Sequence, residues 1–147
     1  MLKHEFKSIE NVVATATSNT TVTSNFDVTG FSRAVIELNF GTAEATNVPA
    51  VLKLSEGATT SSYTDIDAFT AGDGFTASSP STATDATNIY RFDVDLRGRE
   101  KNLRLTFTPA TAQGTNAITT HAKACLFRAA QGTDTATKQG VTQVVSG

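Results

Sequence analysis

Three stretches of the chain alternate apolar and polar residues with a period of two, and this pattern constrains the fold more than any other feature. Over 34–40, Ala34, Ile36, Leu38 and Phe40 alternate with Val35, Glu37 and Asn39. Over 89–96, Tyr90, Phe92, Val94 and Leu96 alternate with Arg91, Asp93 and Asp95. Over 103–108, Leu103, Leu105 and Phe107 alternate with Arg104, Thr106 and Thr108. A strand turns successive side chains to opposite faces, so each stretch reads as a strand with one buried face and one wet face. Weaker alternation runs through Val22, Ser24, Phe26 and Val28, through Ala50, Leu52 and Leu54, and from Ile118 to Leu126. A short run over Tyr63–Phe69 is a further candidate. No window of a dozen residues carries helical i, i+3, i+4 spacing, so no helix longer than a turn or two is expected.

Composition supports the same class. The 147 residues include 26 threonines, whose branched β-carbon restricts χ1 and suits a pleated surface. Gly30, Gly41, Gly57, Gly98 and Gly114 punctuate the candidate strands. The segment Arg97-Gly98-Arg99-Glu100-Lys101-Asn102 reads as a short hairpin turn joining the two clearest strands. The expected fold is therefore all-β: an antiparallel β-sandwich or small barrel of seven to eight short strands, with extended N- and C-terminal arms. Residues 1–130 are expected to form one β domain with an N-terminal arm at 1–10, and residues 131–147 an extended C-terminal arm. The polar stretch 71–86, with Phe75 as its only bulky residue, reads as a long mobile loop.

Several function classes lose support at this stage. No apolar run reaches the ~20 residues of a membrane-spanning helix. Residues 1–7 contain no apolar core of a secretory signal. A lone Cys125 excludes an intrachain disulfide and a cysteine-based zinc site. Asp93 and Asp95, like Asp65 and Asp67 beside Asp73, share a strand face and so fit acid–base or Ca²⁺ chemistry by residue type. Strand alternation already accounts for their spacing, and a polar face in which Arg91, Asp93 and Asp95 pair across strands with Arg104 is expected instead. His4 and His121 have no ligand or base partner nearby in sequence. Cys125 reads as a small half-buried hydrophobe. No phosphate-binding glycine loop or serine nucleophile elbow follows a strand. The reading is of no enzyme, no cofactor and no metal.

Five of the 12 basic residues, Arg91, Arg97, Arg99, Lys101 and Arg104, cluster around one turn. Nucleic-acid binding would place aromatics on the same face of a basic domain. Here Tyr90, Phe92 and Phe107 belong to the opposite, core-facing set, and the net charge is −2. A protein–protein contact or an ordinary charged hairpin tip suits the cluster better, since arginine pairs well with carboxylates.

The stretch Ile89–Pro109, a strand, an Arg-Gly-Arg turn and a second strand ending Thr-Pro, precedes an alanine-rich strand and follows a Val-Val-Ala-Thr-Ala-Thr opening at 12–17. Together with Val51–Leu54, Ser55-Glu56-Gly57 and Tyr63-Thr64-Asp65-Ile66, it resembles capsid decoration, or cement, proteins of tailed bacteriophages. The resemblance spans most of Val12–Arg128. It implies a structural virion subunit on the capsid exterior, made in the host bacterial cytoplasm. That subunit would bind the major capsid protein and itself, a trimer favoured over a dimer, without nucleic acid or membrane. It carries no catalytic residues. The expected contacts are Arg91, Arg97, Arg99, Lys101 and Arg104, with Val141, Val144 and Val145 of the C-terminal arm. A head–tail joining or tail component, and below that a small-ligand binding module, are the alternatives.

Overall fold

The computed structural model describes residues 6–16, 20–40, 48–78, 89–110 and 118–128. The expected contacts Val141, Val144 and Val145, the C-terminal arm 131–147 and residues 1–5 lie outside them. Eight strands run in order: β1 (Phe6–Ala16), β2 (Val22–Asp27), β3 (Arg33–Phe40), β4 (Val51–Gly57), β5 (Thr64–Thr70), β6 (Ile89–Asp95), β7 (Asn102–Thr108) and β8 (Ile118–Phe127). They form two four-stranded sheets in the orders β1-β8-β3-β6 and β2-β7-β4-β5. All the strand pairs are antiparallel. This is a β-sandwich with the strand order of a jelly roll, and not a closed barrel.

The alternation read from the sequence becomes the core. Ile36 and Leu38 of β3, Phe92 and Val94 of β6 and Leu126 of β8 face inward from one sheet. Phe26 of β2, Leu52 and Leu54 of β4 and Leu103, Leu105 and Phe107 of β7 meet them from the other. Threonine mostly takes the wet face, as a β-branched polar residue can. Thr108 and Thr120 are buried, and the Thr108 hydroxyl bonds that of Thr21 at 2.9 Å.

Three expectations change. The Arg97–Lys101 turn is not a hairpin, because β6 and β7 lie in opposite sheets. It arches across the open end of the sandwich, with Gly98 at φ 78° supplying the left-handed residue. Lys101 O accepts a bond from Val28 N at 2.9 Å, tying this arch to the β2–β3 connection. Phe6–Glu10, expected in an arm, begin β1 and pair with β8. The first half of the 71–86 stretch is folded onto the core. Asp73 N and Gly74 N both donate to Thr70 O, and Phe75 meets Phe92 edge-on with ring centres 5.8 Å apart. Tyr90 holds the end of this segment, its hydroxyl donating to Ser78 O at 2.7 Å.

Phe92 is thus clasped by Phe75 on one side and Phe69, at 6.1 Å, on another. Phe92→Ala is expected to lower unfolding free energy by about 3–5 kcal/mol in urea titrations, since a buried aromatic leaves both its transfer energy and a cavity. Phe75→Ala, at a half-buried ring, should cost less.

Candidate interaction surface

The five clustered basic residues are distributed by strand alternation onto three different surfaces. Arg91 points outward from β6, where its guanidinium meets Glu37 of the adjacent β3 at 2.6 Å. Arg104 points outward from β7 on the opposite sheet, its Nε donating to Asn25 Oδ1 at 2.9 Å. Its guanidinium also stacks 3.8 Å from the centre of the Tyr63 ring. Arg97, Arg99 and Lys101 lie in the arch between the sheets. The structure brings those three together and leaves Arg91 and Arg104 on opposite faces.

Ion pairing also differs from expectation. Asp93 pairs with Arg33 of β3, through bonds from Nε at 2.7 Å and from Nη2, and not with Arg104. The reason is topological: β3 lies beside β6 in one sheet, while Arg104 points outward from the other sheet. Asp95 instead takes three bonds from the Arg97 side chain at 2.6–3.0 Å and one from its backbone N–H at 3.0 Å. That arrangement pulls the Asp95 carboxyl down to about 2, the side-chain bonds contributing most and the backbone N–H next. Asp93 is lowered by its bonds to Arg33. At the far side of the arch, Glu56 accepts from Arg99 Nη1 at 3.0 Å and from Glu100 N at 3.1 Å. Lys101 points its side chain to solvent.

Ser32, Arg33, Asp93, Asp95 and Arg97 line an open groove of ≈ 470 Å³ at the end of β3 and β6. Its walls carry both signs of charge and no aromatic ring, so it offers ion-pair exchange to a polar partner rather than an apolar seat. Sequence reasoning missed Arg33 and Glu37 as the partners of this face. Their signal was present, since both belong to the outward set of an alternating strand. It also missed Arg128, whose Nε donates to Gly30 O at 2.8 Å while its guanidinium covers Phe31.

On the second sheet, Asp65 accepts from Lys53 Nζ at 2.6 Å and Ser55 Oγ at 2.7 Å, and both bonds lower its carboxyl. Asp67 and Asp73 are exposed and do not join it. His121 and Cys125 sit half-buried on the outward set of β8. Among the described residues, no three His, Cys, Asp or Glu side chains converge as a metal site would require.

No protein-family profile matches the chain, and no curated relative matches it. Among solved structures, the crystal structures of wild-type BuGH86 and of a substituted form, each in complex with neoagarooctaose, are similar. Identity is 14% and 13%, TM-score 0.44 in both, and 86% of this chain is covered. The chain spans about a fifth (20%) of the length of those proteins, and a likeness of this size bears on no functional reading.

The lowered carboxyls set an acid limit to stability. A carboxyl depressed by folding favours the ionised form in the native state, so its contribution is present above the ordinary value of ~3.9. That contribution fades as pH falls through the folded-state value, about 2 for Asp95. Urea midpoints are expected to drop between pH ~4 and ~2, and Asp95→Asn should flatten part of that slope. Near neutral pH Arg97→Ala should barely move the urea midpoint, as for exposed pairs generally.

Proposed function

We propose that this chain is a structural virion protein that binds the outer surface of a tailed-phage capsid and stabilises contacts between major capsid proteins, without catalysis. The observation that carries the reading is the jelly-roll sandwich, an architecture also found in viral capsid domains. Its outer faces are built from threonine, serine and ion pairs such as Arg91–Glu37 and Arg33–Asp93. Such faces suit a protein held by neighbours over broad, polar contacts. The Arg-Gly-Arg arch and the surrounding strands carry the resemblance to decoration proteins, and they add to that support.

In this reading the partners are the major capsid protein and further copies of the chain, and the place of action is the capsid exterior. Arg97, Arg99 and Lys101 form the compact part of the contact. The C-terminal segment 131–147, with Val141, Val144 and Val145, supplies an extension that can add main-chain hydrogen bonds to a neighbour's sheet. A head–tail joining or tail role is the second reading, and copy number separates the two. A shell component is present in hundreds of copies per particle, a connector in a dozen or fewer.

The test is quantitative reconstitution. Particles lacking the protein, incubated with the purified chain, are expected to bind it in shell-like copy number and to release their genome at a higher temperature. Removing residues 131–147 is expected to lower occupancy. Removing residues 1–5 leaves all of β1 in place and so isolates any contact made by the first residues. Full occupancy after both deletions would remove the arms from the contact. Equal heat stability with and without bound protein would overturn the stabilising role.

A further inference from the structure

β6 is the outer strand of its sheet, and the direction of its open backbone groups follows from one bond. Leu96 N donates to Ser32 O at 2.9 Å, on the continuation of the β3–β6 register. Residues of an antiparallel strand turn their N–H and C=O alternately to one side and the other. Tyr90, Phe92 and Val94 therefore bond to β3, while Ile89, Arg91, Asp93 and Asp95 direct theirs away from the sheet. All four of these residues are exposed. Among the described residues, no backbone bond beyond the β3 ladder reaches this strand.

Open edges invite strand addition, and proteins guard them with bulges or like charge. The other three edges of this sandwich are guarded. β1 shifts register between Asn11 and Ala14. β5 is irregular against β4 and carries Asp65 and Asp67 with no Lys or Arg of its own. β2 carries Asp27 without a cation. β6 alone combines an unbroken register with opposite charges two residues apart, Arg91 and Asp93.

We propose that β6 pairs antiparallel with β6 of a second copy about a two-fold axis, joining two four-stranded sheets into one of eight strands. Arg91 then stands opposite the partner's Asp93, and Asp93 opposite the partner's Arg91. Charge selects this register. The in-phase register centred on Arg91 sets that residue against itself, and the one centred on Asp93 sets Asp93 against itself even as Arg91 meets the partner's Asp95; the proposed register opposes no like charges, which destabilise a ladder. Within each chain Arg91 already meets Glu37 and Asp93 meets Arg33. The seam thus becomes a row of alternating sign: Glu37, Arg91, the partner's Asp93, the partner's Arg33. Ile89, 45% exposed, moves from open solvent to this seam. The edge is self-complementary under a two-fold and not a three-fold operation, so it builds a dimer rather than the trimer that the sequence resemblance implies. This assembly does not depend on the capsid reading.

Sedimentation equilibrium of the full chain, from low micromolar to submillimolar concentration, tests it. The wild type is expected to move from monomer to dimer mass. Arg91→Glu sets acid against acid at two symmetric positions and should weaken the dimer by about tenfold or more. Asp93→Pro removes an outward N–H together with the carboxylate that Arg33 holds, keeps the β3 ladder, and should abolish pairing. Circular dichroism of both variants establishes that each is folded, and either one suffices if the other is not. A wild type that stays monomeric, a trimer, or a dimer unaffected by the folded variants would overturn the proposal.

Discussion

The structure depends on the apolar layer between the two sheets. Six of the seven strand-to-strand connections cross from one sheet to the other, and only β4 and β5 are joined within a sheet. Every ladder except β4–β5 therefore pairs strands that are not consecutive in sequence, β1 with β8 above all. Neither sheet can close its hydrogen bonds before chain segments from both ends have met. What brings them together is non-directional burial of Phe26, Ile36, Leu54, Leu105 and their neighbours, each contributing roughly 25 cal/mol per Å² removed from water. Dominance of non-local pairing also places the domain among slow-folding topologies.

Polar groups outside that layer do different work. The outer ion pairs are exposed, with side chains such as Arg33 and Asp93 more than half open to solvent, so each adds little to stability. Their effect is on specificity. A charge on the wet face of a strand fixes which face is wet, because a one-residue slip would bury it. Arg91–Glu37 and Lys53–Asp65 pin β3 to β6 and β4 to β5 in this way. Arg104, flat on the Tyr63 ring and bonded to Asn25, links β7 outward to β2 and to the residue just before β5.

Strand positions over 34–40, 89–96 and 103–108 were legible because period-two burial is written directly in residue type. β1 was not, since its register shift between Asn11 and Ala14 breaks the period that would have revealed it. The partnership of strands was also hidden. A short Arg-Gly-Arg turn serves a hairpin or an inter-sheet arch equally well, and the alternation of β6 and β7 is the same in either case. Mistaking the arch for a hairpin assigned Asp93 to Arg104, whereas Arg33, 60 residues away, is its partner. Of the candidate surface, the basic cluster was visible, but its division among two faces and an arch needed the sheet order. Phe75 shows the reverse: in a polar stretch it reads as an isolated ring, yet one aromatic suffices to anchor Ala71–Ser78 to Phe92.

Antiparallel order has a further consequence for recognition. The strand ends Ala16, Phe40, Ile89 and Ile118 share one side of the sandwich. The turns at the other side carry Arg97, Arg99, Glu100 and Lys101, flanked by Arg33, Asp95 and Arg128. Among the described residues, a concentration of groups capable of strong, oriented contacts therefore lies at this end and along β6. A partner that reads charge meets a dense set of groups there. Since Asp95 and Glu56 already hold Arg97 and Arg99 in fixed positions, such a partner meets donors whose geometry was set when the sandwich closed.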